Sequence, residues 1–145
     1  MFRIITQILI SIVLLSNLSG ESIARLIKTE GKVNFRRIGM TAFTEQASLG
    51  TAVNNGDAID VGDKGFAVIM YLDDKTILKI NQNTQFEFLD TRNTRTINLE
   101  YGTILNDVQK EGRTKTFRIQ TPISVASVKG TKFAAIVSQT GVDQF

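Results

Sequence analysis

The stretch TPISVASVKGTKF, residues 121–133, decides the fold class that the sequence predicts. It holds Pro122, the only proline of the chain, followed by a run of small and β-branched residues and then by Gly130. Proline fixes φ and has no N–H to donate, so it fits an exposed corner or the first residue of a strand. Gly130 permits a bulge or tight bend before Phe133 returns to the core. This stretch therefore predicts β-strands joined at tight corners.

Short apolar segments of the same kind recur along the chain at spacings near ten residues. They are residues 66–72, 76–80, 85–89, 96–101, 103–108, 116–121 and 132–137. Most alternate between apolar and polar residues, which is typical of a half-buried strand, whereas 66–72 is apolar throughout and reads as a strand covered on both faces. The pattern predicts a single all-β domain of mostly antiparallel strands, arranged as a sandwich or a roll.

Polar turn residues separate these segments. The turn signals are Asn55-Gly56, Asp73-Asp74-Lys75, Asn81-Gln82-Asn83, Asp90 to Arg95, and Gln109 to Arg113. Asn55-Gly56 favours a type I′ hairpin turn, because both residues tolerate positive φ. Five such turns predict a meander of hairpins.

The N-terminus predicts export. One basic residue, Arg3, precedes an apolar run from Ile4 to Leu15, which is shorter than the roughly 20 residues of a spanning helix. Small residues at Ser22 and Ala24 favour cleavage after Ala24, and cleavage after Gly20 is the alternative. The predicted division is a signal-peptide helix over residues 1–24, with an uncleaved anchor left open, and a β-domain over residues 25–145.

Composition excludes several classes of protein. The chain has 145 residues with no cysteine and no histidine, so no disulfide, no lipid anchor on cysteine and no histidine-based catalysis or metal binding is expected. The net charge of +3 is unevenly spread, with acidic residues concentrated between residues 40 and 90. Export, and the lack of aromatic residues among the basic ones, argue against a nucleic-acid partner.

The acidic residues were the best candidates for chemistry. Asp57, Asp60 and Asp63 could offer oxygens to calcium, but their spacing fits neither of the common calcium loops, and a role in glycine turns is favoured. Asp73 and Asp74 are neighbours in a turn and do not face each other across a cleft, as glycosidase carboxylates do at roughly 5 to 9 Å. The sequence therefore predicts no enzyme, no metal and no cofactor.

Taken in order, the segments resemble the FecR-type domain, named for the periplasmic part of an iron-citrate regulator. The resemblance runs from about Gly31 to the end and rests on GKVNFRR, LGTAVNNGDAIDVGDKGFAVIMYLDDKTILKINQNTQFEF, INLEYGTILNDV and FRIQTPISVASVKGTKFAAIV. It implies that the motif residues are structural. These residues are Gly56, Asp57, Gly102, Thr121, Pro122, Gly130, Thr131 and Phe133.

The resemblance also implies a function and a location. We expect a non-enzymatic module in the periplasm or at the surface of a bacterium, which binds another protein of the cell envelope. A component that relays the state of a receptor is one alternative, and a structural or cell-wall-associated module is another. The absence of tryptophan and the presence of two tyrosines weaken the cell-wall reading. Membrane attachment is expected only if the signal segment stays uncleaved.

Three features depart from the family pattern. Lys75 stands where the family usually has glycine, so a different turn type is expected there. Only three residues precede the apolar run, too few for the anti-sigma segment that regulators of the family have before this domain. We therefore do not expect this chain to regulate a sigma factor. Gly141 looks like the start of a hairpin without its return strand, so we expect an incomplete C-terminus or an exposed edge that pairs with a partner or a second copy.

Overall fold

The computed structural model describes residues 21–107, 115–128, 132–138 and 143–144. Within these residues the chain forms thirteen β-strands and no helix, which confirms the all-β prediction. The strands are β1 (Ser22–Glu30), β2 (Val33–Arg36), β3 (Glu45–Gln46), β4 (Ala52–Asn54), β5 (Ala58–Val61), β6 (Phe66–Tyr71), β7 (Ile77–Ile80), β8 (Thr84–Asp90), β9 (Thr94–Asp107), β10 (Thr116–Gln120), β11 (Val125–Val128), β12 (Lys132–Val137) and β13 (Asp143–Gln144).

The strands form one curled sheet whose centre is β9. The first part of β9 pairs with β8 and β10, and its last part, from Gly102 onward, pairs with β7 and β12. We call the strands on either side of this division the β8 half-sheet (β3, β2, β5, β8, β10 and β11) and the β6 half-sheet (β4, β1, β6, β7, β12 and β13). The described pairs are antiparallel except β9 with β10, which is parallel.

The two half-sheets enclose one hydrophobic core. Tyr71 of β6 meets Phe88 of β8 edge to face, with ring centroids 6.4 Å apart. Phe117 of β10 meets Phe133 of β12 in the same way at 5.7 Å. Edge-to-face aromatic pairs of this kind add to the free energy gained by burying the rings. The half-sheets therefore pack as the two layers of a sandwich that share a strand.

The predicted meander is wrong in its connections. The hairpins expected at Asp73-Asp74-Lys75 and between Asp90 and Arg95 are confirmed as β6–β7 and β8–β9. At Asn55-Gly56 and at Asn81-Gln82-Asn83 the chain instead crosses from one half-sheet to the other. Gly56 has positive φ but Asn55 does not, so the turn is not type I′. Turn residues indicate that the chain changes direction. They do not indicate which strand the following segment pairs with, because that depends on distant strands that complete the core.

Two further expectations change at the level of single residues. The segments predicted as separate strands at 96–101 and 103–108 are one strand, β9, which bends at Gly102. Lys75 has φ of +59°, the left-handed conformation that glycine adopts most easily, so the turn keeps a left-handed residue despite the substitution.

The predicted signal peptide lies almost wholly outside the described residues. Of its predicted span, Ser22 to Ala24 form the beginning of β1, and Ala24 is fully buried. No helix within the described part of the chain is long and apolar enough to cross a membrane. Gly130, Thr131, Gly141 and the turn predicted between Gln109 and Arg113 also lie outside the described residues.

Candidate functional site

Asp57 joins three segments of chain at the corner between β4 and β5. Its side chain is fully buried, and its two carboxylate oxygens accept hydrogen bonds from the main-chain N–H groups of Ile38 (3.2 Å) and Asn54 (2.9 Å). Arg37 donates a further hydrogen bond to the same carboxylate. Gly56 precedes it with φ of +87°, and a Cβ there would meet the side chain of Ile38. The Gly56-Asp57 pair therefore fixes a corner.

Arg37 holds this corner from the loop after β2. Its Nε donates to Glu45 at 2.6 Å, and its Nη1 donates to the carbonyl oxygen of Ala52 at 2.9 Å. Hydrogen bonding from Arg37 lowers the pKa of Glu45, and hydrogen bonding to Glu45 and Asp57 raises the pKa of Arg37 despite its partial burial. The sequence does not indicate this role of Arg37, because one arginine in a basic stretch carries no signal of its partners.

Gly102 lies at the bend of β9 with φ of +106°. A Cβ at this position would overlap the backbone and side chain of Thr84 on the neighbouring strand β8. The Thr84 hydroxyl accepts a hydrogen bond from the N–H of Thr103 at 2.9 Å, so the two strands are in direct contact at the bend. Gly102 therefore allows one strand to pass from the first half-sheet to the second.

Thr121 and Pro122 form the turn between β10 and β11. The N–H of Thr121 donates to the carbonyl of Ser124 at 2.8 Å, and the Thr121 hydroxyl accepts from the N–H groups of Ile123 (3.3 Å) and Ser124 (3.0 Å). Pro122 is exposed at this corner, where it needs no hydrogen-bond partner. Both residues shape the turn that presents β11.

β11 is an outer strand of the β8 half-sheet. Within the described part of the chain it pairs with β10 alone, which leaves its other side, here called the β11 edge, without a strand. Val125 is 63% exposed, and Ile123 just before the strand is 65% exposed. Residues 119–128 contain no charged side chain. The other outer strands, β3, β4 and β13, have only two or three residues each, so β11 is the longest outer strand described.

A cleft of about 710 Å³, here called the Arg95 cleft, opens between the start of β1, the β6–β7 turn and the β8–β9 turn. Its wall includes Glu21, Asn55, Asp73, Asp90, Arg95 and Lys115. The sequence placed Asn55, Asp73, Asp90 and Arg95 in turns and gave no sign that Glu21 and Lys115 would join them in one cleft.

Arg95 lies beneath the cleft with a side chain that is only 2% exposed. Its guanidinium group donates to the carboxylates of Asp73 (2.7 Å), Asp74 (3.0 Å) and Asp90 (3.4 Å). It also lies over the ring of Tyr71, 3.5 Å from the centroid. A buried charge is tolerated when it is paired and hydrogen-bonded in this way. Arg95 thus links both turns that border the cleft.

The charges around Arg95 do not balance. Lys115 donates to Oδ2 of Asp90 at 2.9 Å, so two cations face the three carboxylates. The other oxygen of Asp90, Oδ1, is buried without a hydrogen-bond partner. Burial alone would raise the pKa of Asp73, but hydrogen bonding and the charge of Arg95 outweigh this and lower it. The cleft therefore borders a group of five charged side chains with one net negative charge and one unsatisfied acceptor.

One feature of the sequence could have predicted the buried arginine. In β9, residues at alternate positions point to the same face, and Ile97 and Leu99 face the core. Continuing the alternation backwards places Arg95 on the buried face. A buried arginine requires carboxylate partners, and the sequence offers Asp73, Asp74 and Asp90. No rule of spacing identifies these partners, because they come from two different turns.

The described acidic residues form no metal site. Among residues 21–107, 115–128, 132–138 and 143–144, no group of three or more acidic, cysteine or histidine side chains is placed to hold a metal ion. Asp57, one of the three residues considered for calcium, is committed to Arg37 and two main-chain donors.

The comparison with protein families agrees with the motifs. No curated protein and no solved structure matches the chain. The model of the family described as FecR protein matches residues 57–143, more than half of the chain, beginning at the corner residue Asp57. This family is a regulatory domain associated with periplasmic signal transduction in bacteria. Because the match includes the bend at Gly102 and the Thr121-Pro122 turn, the chain belongs to the FecR family.

Proposed function

We propose that the protein is an exported, non-enzymatic module that binds another protein of the bacterial cell envelope by accepting a strand at the β11 edge. The association of the FecR family with periplasmic signalling supports an envelope partner, and favours a role in relaying a signal over a purely structural one. The β11 edge is the observation on which the mode of binding rests. An outer strand with unpaired main-chain groups and exposed apolar side chains can bind an extended segment by β-addition.

The hydrogen-bond pattern identifies which groups of β11 are available. The N–H of Thr121 donates to the carbonyl of Ser124, so this pair closes the hairpin with a hydrogen bond. Hydrogen-bonded and non-hydrogen-bonded pairs alternate in an antiparallel ladder. The pair of Ile119 with Ala126 is then hydrogen-bonded, and the main-chain groups of Val125 and Ser127 face outward. An incoming strand would pair with these two residues.

A photo-crosslinking experiment in cells tests this proposal. The full-length protein would carry benzoylphenylalanine in place of Val125, and the control would carry it at Asp63, an exposed turn residue between β5 and β6. We expect Val125 to capture one specific envelope protein, and Asp63 not to capture it. Capture of only a second copy of this chain would preserve the edge but overturn the proposal of a different partner.

A matched pair of variants distinguishes strand addition from nonspecific hydrophobic binding at the β11 edge. Ser127→Pro removes an outward N–H and leaves the hydrogen bonds to β10 in place, whereas Ser127→Ala removes only the side-chain hydroxyl. We expect Ser127→Pro to abolish the crosslink from Val125 and Ser127→Ala to retain it. Equal crosslinking in the two variants would contradict binding by strand addition.

A further inference from the structure

The start of β1 is fixed to the wall of the Arg95 cleft. The N–H of Asn55 donates to the carbonyl oxygen of Glu21 at 3.4 Å. The side chain of Asn55 then exchanges two hydrogen bonds, each of 2.8 Å, with the main-chain N–H and C=O of Asp90. Asn55 therefore holds Glu21 next to the segment that carries Asp90, and both residues line the cleft.

Residues 22–24 belong to the folded domain. Ala24 is fully buried and pairs with Val53 on one side and Tyr71 on the other. The carbonyl oxygen of Ile23 accepts a hydrogen bond from the N–H of Leu72 at 3.0 Å. Cleavage after Ala24 would remove these three residues from a strand that pairs on both sides, and would leave buried main-chain groups without partners. A leader that is removed without damage to the fold must end before Ser22.

The cleft offers the chemistry that a new chain terminus needs. Three carboxylates face Arg95 and Lys115: Asp73 and Asp90 line the cleft, whereas Asp74 binds Arg95 without lining it. Oδ1 of Asp90, whose side chain is 4% exposed, has no hydrogen-bond partner. Arg92 and the side chain of Glu21 add one charge of each sign at the rim, so the excess of one negative charge remains. An ammonium group carries one positive charge, which would balance this excess, and three N–H donors, one of which could bind Oδ1 of Asp90.

We propose that the leader is cut between Gly20 and Glu21, and that the resulting α-ammonium group of Glu21 binds in the Arg95 cleft beside Asp73 and Asp90. Gly20 supplies the small residue that a signal peptidase requires before the cut. The peptidase of the exporting cell adds one water across the Gly20–Glu21 peptide bond, which leaves a carboxylate on Gly20 and the ammonium on Glu21. The proposal rests on the export assumed in the proposed function, but not on the β11 edge.

The cleavage point is tested on the full-length protein. After expression in a bacterium and purification from the cell envelope fraction, intact-mass measurement and sequencing of the N-terminal peptide give the first residue. We expect Glu21. A mature protein that begins at Arg25, or one that retains Met1, would overturn the proposal. Either result would leave the crosslinking test at Val125 unaffected, so the two proposals can fail separately.

The binding of the ammonium is tested on the processed protein. Methylation of the α-amino group with ¹³C-formaldehyde allows its titration to be followed by NMR. We expect a pKa above the ordinary range of about 7.7 to 8.0, because the four carboxylates of Glu21, Asp73, Asp74 and Asp90 outnumber the three cations Arg92, Arg95 and Lys115. An α-amino pKa within the ordinary range in the wild-type protein would overturn the binding site.

Two charge-removing variants make the assignment specific. Asp73→Asn removes a half-exposed carboxylate from the cleft, and Asp63→Asn removes an exposed one from a different turn. We expect the α-amino pKa to fall in Asp73→Asn and to stay unchanged in Asp63→Asn. Equal α-amino pKa values in the wild type and in Asp73→Asn would mean that the ammonium group lies in solvent and not beside Asp73.

Discussion

Gly102 is the residue at which β9 leaves one half-sheet for the other, and it tolerates no side chain. In Gly102→Ala the new methyl group meets Thr84 and the backbone has to keep φ of +106°, so overpacking adds to conformational strain. We expect the free energy of unfolding to fall by about 2 to 5 kcal/mol. Urea denaturation followed by circular dichroism measures this loss.

Gly39→Ala is the matched control for this prediction. Gly39 has φ of +80° but no atom within 4 Å of the position where a Cβ would lie. Only the strain of the left-handed conformation remains, which costs about 1 to 2 kcal/mol. Equal losses in the two variants would mean that contact with Thr84 is not what excludes a side chain at Gly102.

The β6–β7 and β8–β9 turns are held together through Arg95, which binds carboxylates from both. Arg95→Met keeps the apolar volume but leaves Asp74 buried without its cation, and leaves Asp90 with Lys115 alone. We expect a loss of about 3 to 5 kcal/mol at neutral pH, as is typical when one partner of a buried ion pair is removed. Urea denaturation at several pH values gives the magnitude, and Arg118→Met, at an exposed position on β10, should change stability by less than about 0.5 kcal/mol.

The pH dependence of the same variant has a defined sign. In the wild type the pKa of Asp73 is lowered, so its contribution is present above the unfolded pKa of 3.8 and is lost as the pH falls through the folded value. Without the hydrogen bond and the charge of Arg95, burial raises the pKa of Asp73, and the folded protein takes up a proton more readily than the unfolded chain. The stability of Arg95→Met should therefore rise as the pH falls from 7 towards 4. Parallel pH profiles in the two proteins would contradict this role of Arg95.

Strand positions were predictable from the sequence, and strand pairing was predictable only in part. Alternation in residues such as Phe86, Glu87 and Phe88 reports the two faces of a strand, because side chains point to opposite sides in turn. The two-residue signal at Asn55-Gly56 was misleading, because the side chain of Asn55 binds the main chain of Asp90, 35 residues away. Such a contact has no trace in the local sequence.

Tyr71 makes the stability of the whole molecule sensitive to alkaline pH. Burial raises its pKa well above the ordinary 10.0, whereas the unfolded chain ionises near that value. Because the folded pKa is the higher one, the free energy of unfolding should decrease as the pH rises above about 10. The chain has two tyrosines and no tryptophan, so absorbance at 295 nm, combined with denaturant titrations between pH 8 and 11, follows both ionisation and unfolding.

Tyr71→Phe tests the assignment. The Tyr71 hydroxyl is buried without a hydrogen-bond partner, so its removal should not reduce stability at pH 7. The variant should also lose much of the decrease in stability above pH 10. The pKa of Tyr101 is raised as well, by partial burial and the charge of Asp60, so neither tyrosine should titrate at its ordinary value. Half-ionisation of both tyrosines at pH 10 in the folded protein would contradict this prediction.

At the scale of the molecule, the sequence led to the family and to the fold class, because glycine corners and alternation are local features. It did not lead to the Arg95 cleft. The cleft is formed by Glu21, Asp73, Asp90 and Lys115, which come together only when β1, β6, β8 and β10 occupy their places in the fold. The edge expected from the sequence, at the hairpin beginning with Gly141, lies outside the described residues, and the β11 edge is a different one that the sequence did not indicate.

The shared strand β9 also determines when, during export and folding, the core can close. The strands before it alternate between layers: β1, β4, β6 and β7 lie in one, and β2, β3, β5 and β8 lie in the other. Neither layer is a continuous piece of chain, and among the described strands β9 (residues 94–107) is the one that pairs with strands of both layers. A chain that enters a compartment N-terminus first therefore cannot close its core until residue 107, the end of β9, has arrived, and Phe117, Ile119, Ala135 and Val137 of the core follow later still. During that interval apolar strands such as β6 are uncovered, and this is when a holding chaperone would protect the chain from aggregation.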